Sequence, residues 1–337
     1  MSAFSSVKML LYRLAPVSLK KAYRLRKATA ATLGRDGQRL LRYGFAYVLD
    51  EDNLRARLRM LIHFIEKGLN LPDPRPCFGL ARLQQMADVV GCLGKDNAGL
   101  FEMRYAARLL VDYQSFHAQR GIVLPASHNS IIHAMQEVVG IPVDSGQSCC
   151  CKVDREDFFN VPKGFFSAMA LTRHSVRNYR PEAVPRDVIR EIARVAATAP
   201  SACNRQPCHI YAIDDKPLVD EVLSLTRGSG GFGHLAPLVL VITSDLKCRD
   251  DVSERHQVGI DAGFFGMNLL YALHEQRIGA CILNWDDLAE ADSKLRALLP
   301  AIKDSETVLY LVTCGYTPEM FNVPPGLRRS DNLTFIG

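Results

Sequence analysis

The 337-residue chain lacks an uninterrupted apolar run of about 18 residues, the length that a membrane-spanning helix needs. Its N-terminus also lacks the short apolar core of a secretory signal. These absences predict neither a membrane span nor secretion. With 48% hydrophobic and 23% charged residues, the composition is that of an ordinary soluble globular protein with one large or two modest domains.

Cysteine is plentiful, with ten residues, but no disulfide framework is recognisable. Three cysteines are adjacent, which makes them poor partners for one another and gives them no metal-ligand spacing: Cys149, Cys150 and Cys151. Four others lie in or beside predicted core elements: Cys203, Cys208, Cys281 and Cys314. This pattern predicts reduced thiols, a cytoplasmic location and no metal site.

Apolar periodicity divides the chain into a helical part and a part in which helices and strands alternate. Residues 50–139 show helical spacing, and Asp50 or Asp52 is a candidate N-cap for the first helix. Residues 140–164 contain turn-forming Pro and Gly residues and are predicted to be a linker. The expected organisation is a basic arm at 1–49, a helical domain at 50–139, the linker, and a second globular domain at 165–337.

The second domain alternates short apolar runs with amphipathic segments. Strands are predicted at residues 209–213, 238–243, 280–283 and 307–314, and helices at 186–198, 218–226, 252–275 and 291–299. The helix at 252–275 is apolar on nearly every side and carries four small residues: Gly259, Ala262, Gly263 and Gly266. It is therefore expected to be buried, either within one subunit or against a second one.

Two polar segments flank the helix at 186–198. In the first, residues 173–177 read Arg-His-Ser-Val-Arg. In an extended backbone alternate residues share a face, so Arg173, Ser175 and Arg177 would point together toward a phosphate and an electron-rich ring. The second, residues 199–207, reads Ala-Pro-Ser-Ala-Cys-Asn-Arg-Gln-Pro and forms a polar loop after the helix. Taken alone, each segment could equally be a solvated turn that binds no ligand.

These segments, in this order and spacing, resemble the FMN-dependent nitroreductase family. Its members carry Arg-Arg/His-Ser-x-Arg/Lys, an amphipathic helix, and then Pro-Ser-x-x-Asn-x-Gln-Pro. The resemblance covers about residues 165–337 and implies an α+β sandwich, with a central, mainly antiparallel sheet flanked by helices. An all-helical N-terminal domain precedes it here. Glu-Lys-Gly-Leu at 66–69 with Arg-Pro-Cys-Phe-Gly at 75–79 resembles the helical extension of some longer relatives.

The resemblance also implies a homodimer with FMN at the subunit interface. Arg173, His174 and Ser175 would contact the phosphate and ribityl chain, and Arg177 the N1/O2 edge of the ring, where reduced flavin is negatively charged. Five residues match positions that reach the FMN of the other subunit: Pro200, Ser201, Ala202, Asn204 and Gln206. Four match backbone positions near flavin N5: Ile282, Leu283, Asn284 and Trp285. Arg328 and Arg329 match a basic pair at the phosphate.

Three of these residues fit a purely structural role as well. Trp285 suits core packing equally, and Arg328 and Arg329 suit surface charge. Arg205 is expected to place a cation beside the pocket. Residues 228–233 formally fit Gly-x-Gly-x-x-Gly, but they follow a predicted helix and precede a strand, so we expect a loop beside the flavin rather than a dinucleotide site.

The implied reaction is a ping-pong oxidoreduction. NAD(P)H would pass hydride through the flavin to a small organic acceptor, nitroaromatic or quinone-like, and no catalytic side chain is assigned. Reductive dehalogenation, azoline oxidation and flavin fragmentation occur on the same fold and stay open, because a fold does not determine a reaction. The alternative without enzymatic activity is a flavin-binding scaffold that is recruited by its basic arm.

Positive charge is concentrated in the first 43 residues, which carry ten Lys or Arg residues against a single acidic one, Asp36. Since the whole chain has a net charge of +5, the remaining residues carry −4. The arm either lies on the acidic body of its own dimer, contacts an anionic membrane or acidic partner, or is an organelle transit peptide. We expect no nucleic-acid binding, because the basic residues are not interleaved with aromatic ones.

Overall fold

The structure, a computed structural model, describes residues 16–44, 50–71, 74–140, 162–285, 289–323 and 333–336. Its N-terminal half is helical: α1 (Val17–Tyr43), α2 (Glu51–Leu69), α3 (Leu80–Leu93), α4 (Phe101–Ala118) and α5 (Ala126–Val139). Arg328, Arg329, the three adjacent cysteines and most of the predicted linker lie outside the described residues.

Helices α2 to α5, which we call the helical bundle, enclose an apolar core of their own. The Asp50 carboxylate accepts a hydrogen bond from Asn53 N at 3.0 Å, so one of the two candidate caps begins α2. Several core side chains from three of the helices are fully buried: Leu58, Leu61, Leu83, Met86, Leu109, Leu110 and Tyr113. The bundle thus has an interior separate from that of the sheet.

Phe78, in the turn at 75–79, packs directly against Gly68 of α2. A Cβ on Gly68 would lie 2.1 Å from Phe78 Cε2. The Phe78 ring packs edge-on against Tyr113, with 5.2 Å between centroids, and the Tyr113 hydroxyl donates to Phe78 O at 2.6 Å. A side chain at residue 68 would therefore displace a ring that is held from two sides.

We expect Gly68→Ala to lower the free energy of unfolding by about 1–3 kcal/mol, because overpacking outweighs the helix propensity that alanine adds. Urea denaturation measures this. Gly91→Ala on α3 is the matched control, since a Cβ there meets nothing within 4 Å and should stabilise the helix. Equal stability of the two variants would contradict the role given to Gly68.

The remaining elements form an α+β sandwich. They are α6 (Phe165–Thr172), α7 (Arg186–Ala196), β1 (Cys208–Ile213), α8 (Lys216–Ser224), β2 (Leu238–Asp245), α9 (Gln257–Glu275), β3 (Ile278–Asn284), α10 (Ala289–Leu298) and β4 (Glu306–Tyr316). The strands lie in the order β1-β2-β4-β3 with every neighbouring pair antiparallel. The predicted fold class is confirmed, and a parallel bridge from Ser175 to Ala280 extends the sheet.

The sheet is covered on both faces because alternate residues of its strands point to opposite sides. Val239 and Val241 of β2 belong to a core shared with α8 and α10. Leu240 and Ile242 belong to a second core shared with α7 and α9. Both faces are buried, which explains why the central strands are apolar without interruption.

One helix begins later than the sequence predicts, and one helix was not predicted. The helix expected from residue 252 begins at Gln257, because the Asp251 carboxylate accepts from Ser253 N at 2.8 Å and Glu254 accepts from Asp250 N at 3.0 Å. These local bonds hold residues 252–254 in a 3₁₀ turn instead. Helix α6 lies in the segment before the first motif, where the sequence patterns predict no helix.

The basic arm is mostly the single helix α1, whose C-terminal half lies against the sheet. Arg39 Nη2 donates to Asp304 O at 3.0 Å and to Glu306 O at 2.7 Å, where β4 begins. Arg39 is also 3.8 Å from Asp292. This part of the arm therefore rests on acidic and carbonyl groups of the same chain. Among the described helices, none is long and apolar enough to cross a membrane.

Candidate functional site

The segment at 173–177 lies alongside β3. Val176 N donates to Ala280 O at 2.9 Å, and Ser175 forms the parallel bridge to the same residue. Gly279 permits this approach, because a Cβ there would lie 2.8 Å from Val176 Cγ1 and 2.7 Å from Thr317 Cγ2. Strand β3 thus fixes the position of the first motif.

Alternate side chains of this segment have different surroundings. Burial raises the pKa of the Cys281 thiol, while Arg177, Ser175 and Arg173 beside it act in the opposite direction. These three residues act on one thiol, and Arg173 acts together with His174 on His274 as well. His174 and Val176 instead line a cavity of about 590 Å³. The first group brings two guanidinium groups and a hydroxyl together, and we call it the arginine face.

The cavity lies where α9 ends and β3 begins. Apolar residues make much of its lining: Phe165, Met169, Ile278, Phe321 and Val323. His274 also lines it and is 2.9 Å from Thr172 Oγ1. Burial lowers the pKa of His274, and Arg173 and His174 lower it further. Glu275 and Arg277 also line the cavity, so charged groups of both signs border its apolar part.

His274 is the site residue that sequence reasoning missed. A histidine in an apolar helix is usually a core residue, but the His274 side chain borders the cavity beside the first motif. The signal that was available is its position in the last turn of α9, shortly before β3 begins at Ile278.

The second motif forms a tightly turned loop after α7. Cys203, Asn204 and Gln206 have φ values of 51°, 50° and 52°, a region that is strained for residues other than glycine. Gln206 N donates to Ser201 Oγ at 3.0 Å and compensates part of this strain. The loop also lines a second cavity of about 120 Å³, to which it contributes Pro200, Ser201 and Gln206.

Arg205 corrects a sequence prediction. Its side chain is 2% exposed, pairs with Glu254 and donates from Nε to Ala202 O at 3.1 Å. It therefore lies behind the loop and not beside the pocket. The exposed side chains at this turn are those of Asn204 and Gln206, on either side of it.

A buried ion pair lies beneath the loop. Asp261 and Arg249 are 1% and 2% exposed, and Arg249 Nη2 is 3.0 Å from Asp261 Oδ2. The other carboxylate oxygen accepts from Ala202 N at 3.1 Å and from Gln257 Nε2 at 2.9 Å. The long helix α9 thus holds one end of the second motif.

The end of β3 alternates between exposed and buried residues. Ile282 and Asn284 are exposed, whereas Leu283 and Trp285 are buried. The indole of Trp285 is 5% exposed and belongs to the core that contains Leu295. For this side chain the structure therefore shows core packing.

The glycine-rich loop at 228–233 lies beside the arginine face. It follows α8 and precedes β2, which is the reverse of the strand-to-helix order that a dinucleotide motif requires. Phe232 is 6% exposed, and the Arg177 guanidinium lies 5.7 Å from the centroid of its ring. This contact holds Arg177 beside the loop.

The described residues do not bring the two motifs into one cavity. The larger cavity is lined from the first motif, and the smaller one from the second, with no lining residue in common. Within the described part of the chain, no group of His, Cys, Asp and Glu side chains has the arrangement of a metal site. The seven cysteines described there are free thiols.

Residues 170–230, which contain both motifs and the first three residues of the glycine-rich loop, match the nitroreductase family. An NADH dehydrogenase of Thermus thermophilus is 41% identical over 80 residues, which are 23% of this chain and 38% of that protein. A 4-nitrobenzoate reductase of Nocardioides sp. is 41% identical over 61 residues, covering 17% of this chain and 25% of its own length.

The chain therefore spans well under half the length of these two relatives. Among solved structures, an FMN-dependent nitroreductase from Clostridium difficile is similar with a TM-score of 0.40 and 23% identity, covering 49% of this chain and 92% of that one. The nitroreductase match ends before β2, and the helical bundle lies outside it.

Proposed function

We propose that this protein is an FMN-dependent oxidoreductase that takes hydride from NAD(P)H and delivers it to a small organic acceptor, nitroaromatic or quinone-like. The observation that carries the proposal is the arginine face, held against β3 within the nitroreductase segment. FMN, when bound, would supply the redox chemistry, and the protein would supply orientation and charge.

The described residues fit this cofactor at both of its charged ends. Arg173 and Ser175 of the arginine face would bind the phosphate dianion, since guanidinium groups form strong charge-assisted hydrogen bonds with phosphate. His174, which lines the larger cavity, stays a prediction as a phosphate contact. Arg177 would stabilise negative charge at the ring, and Phe232 holds its guanidinium in place. Asn204 and Gln206 would reach the cofactor of a second subunit. Arg328 and Arg329 stay a prediction.

A second copy of the chain is the proposed partner. Ile260, Phe264 and Met267 are 44%, 50% and 40% exposed, and their spacing places them on one face of α9. Gly263 on the same face would meet nothing within 4 Å with an added Cβ. An exposed apolar helix face with small residues suits packing against its own copy.

We expect Phe264→Glu to turn a dimer into a monomer, because two buried carboxylates would face each other across the interface. Light scattering after gel filtration measures the mass of each form. Leu171→Glu is the control, since Leu171 is 78% exposed on α6 and lies off this face. A monomeric unaltered protein would contradict the dimer.

Anaerobic titration of the FMN-reconstituted protein with NADPH, and separately with NADH, tests the redox proposal. We expect the flavin absorbance to bleach near one equivalent of nucleotide and to return on adding 4-nitrobenzoate or a quinone. FMN binding without bleaching would exclude NAD(P)H as the donor and favour an idle scaffold. Failure to bind FMN would overturn the proposal.

Peripheral contact with an anionic membrane is a second proposal, carried by α1. Leu19, Tyr23, Leu33 and Leu41 are 60%, 48%, 64% and 63% exposed and follow one side of this helix. The arm is strongly basic, so an anionic bilayer complements it. Sedimentation of the full chain with phosphatidylserine vesicles tests this, and equal sedimentation with neutral phosphatidylcholine vesicles would contradict it.

A further inference from the structure

Arg59 of α2 joins the helical bundle to the loop that carries the second motif. Its Nε donates to Arg205 O at 2.9 Å, and its Nη1 pairs with Glu102 of α4. Its Nη2 lies 3.7 Å from Cys248 Sγ, and that thiol also contacts Arg205 O at 3.8 Å. One guanidinium group therefore bridges the interior of the bundle and the backbone of the loop.

Glu102 fixes the direction of that guanidinium group. Its side chain is 3% exposed, so it has almost no access to water. Burial by itself would raise the pKa of Glu102, but its own backbone N–H and the charges of Arg59 and Arg55 hold it below its usual value. A fixed carboxylate in the bundle thus orients Arg59 toward the loop.

The accepting carbonyl sits in the strained part of the loop. Residue 205 lies between Asn204 and Gln206, both with positive φ. At the other end of the turn, Ala202 N is held by Asp261. Strained backbone persists only where the surrounding structure holds it, and here one anchor comes from α9 and the other from the helical bundle.

We propose that Arg59 is a positioning residue that sets the conformation of residues 201–206, so that the helical bundle shapes the cofactor-contacting loop. The proposal rests on the proposed function, in which Asn204 and Gln206 of this loop contact FMN. It gives residues 50–140 a role in the flavin site although they lie outside the family match.

Arg59→Met and Arg55→Met form a matched pair. Arg55 pairs with the same carboxylate at 3.3 Å from one helical turn earlier, so both variants remove one partner of Glu102. In the FMN-free protein, we expect Arg59→Met to accelerate hydrogen exchange of the amides of residues 201–206 roughly tenfold or more, as loss of a charge-assisted hydrogen bond implies. Arg55→Met should leave that exchange unchanged, and Arg59→Lys should restore part of the protection.

The dissociation constant of FMN, measured by flavin fluorescence, should be roughly tenfold larger for Arg59→Met than for the unaltered protein. It should be unchanged for Arg55→Met and intermediate for Arg59→Lys. Equal loop exchange in Arg59→Met and Arg55→Met would overturn the positioning role. If the unaltered protein binds no FMN, the proposed function fails, but the exchange comparison still decides whether Arg59 holds the loop.

Discussion

Replacing Asp261 with alanine is expected to lower the free energy of unfolding by about 3–5 kcal/mol, because it leaves a buried cation without its counter-charge. Arg249 is 2% exposed, and its Nε and Nη1 have no hydrogen-bond partner among the described residues. The Asp261 carboxylate is therefore its principal compensation. The same substitution also leaves Ala202 N without its acceptor.

Urea denaturation of a double-mutant cycle measures this dependence. Arg249→Met combined with Asp261→Ala removes both charges, and apolar replacement of a buried ion pair is often tolerated. We expect the double variant to recover much of the loss, but to stay about 1–3 kcal/mol below the unaltered protein because Ala202 N remains unpaired. An Asp261→Ala variant within about 1 kcal/mol of the unaltered protein would show that water compensates Arg249 instead.

Replacing Arg173 with methionine is expected to weaken FMN binding by roughly tenfold to a hundredfold, the effect of losing a charge-assisted hydrogen bond to phosphate. Flavin fluorescence on titration with protein measures the dissociation constant. Riboflavin, which lacks the phosphate, should bind the variant and the unaltered protein alike.

Arg180→Met is the control variant for this measurement. Arg180 lies shortly after the first motif, is exposed and pairs with Glu182 at 2.6 Å. Its removal changes the net charge equally but should leave FMN affinity nearly unchanged. If Arg173→Met weakened FMN and riboflavin to the same extent, Arg173 would act on the fold of the segment and not on the phosphate.

Local sequence patterns predicted the sheet and the surroundings of the first motif. The four strands lie within about two residues of their expected bounds, because uninterrupted apolar runs identify a sheet that is buried on both faces. The two-residue period of extended backbone predicts the grouping of Arg173, Ser175 and Arg177, and this grouping stays a prediction. Asp50 could be predicted as a candidate helix cap because it directly precedes a helical pattern.

The features that sequence did not predict depend on contacts between distant segments. Arg205 turns inward because Glu254 lies behind the loop, a partner 49 residues away in the chain. His274 borders the cavity because β3 brings the first motif beside it. Local patterns carry no information about such pairings. The location of each polar residue could therefore be predicted only from its neighbours in the sequence.

The contact of Arg39 with the start of β4 has a consequence for the order of events during synthesis. The two segments are separated by 265 residues, so ribosomes produce α1 on the order of tens of seconds before its binding site exists. The helical bundle has its own core and local contacts, which favour early folding. Helix α1 therefore leaves the ribosome well before its native contact with β4 can form, and chaperones can bind it in the interval.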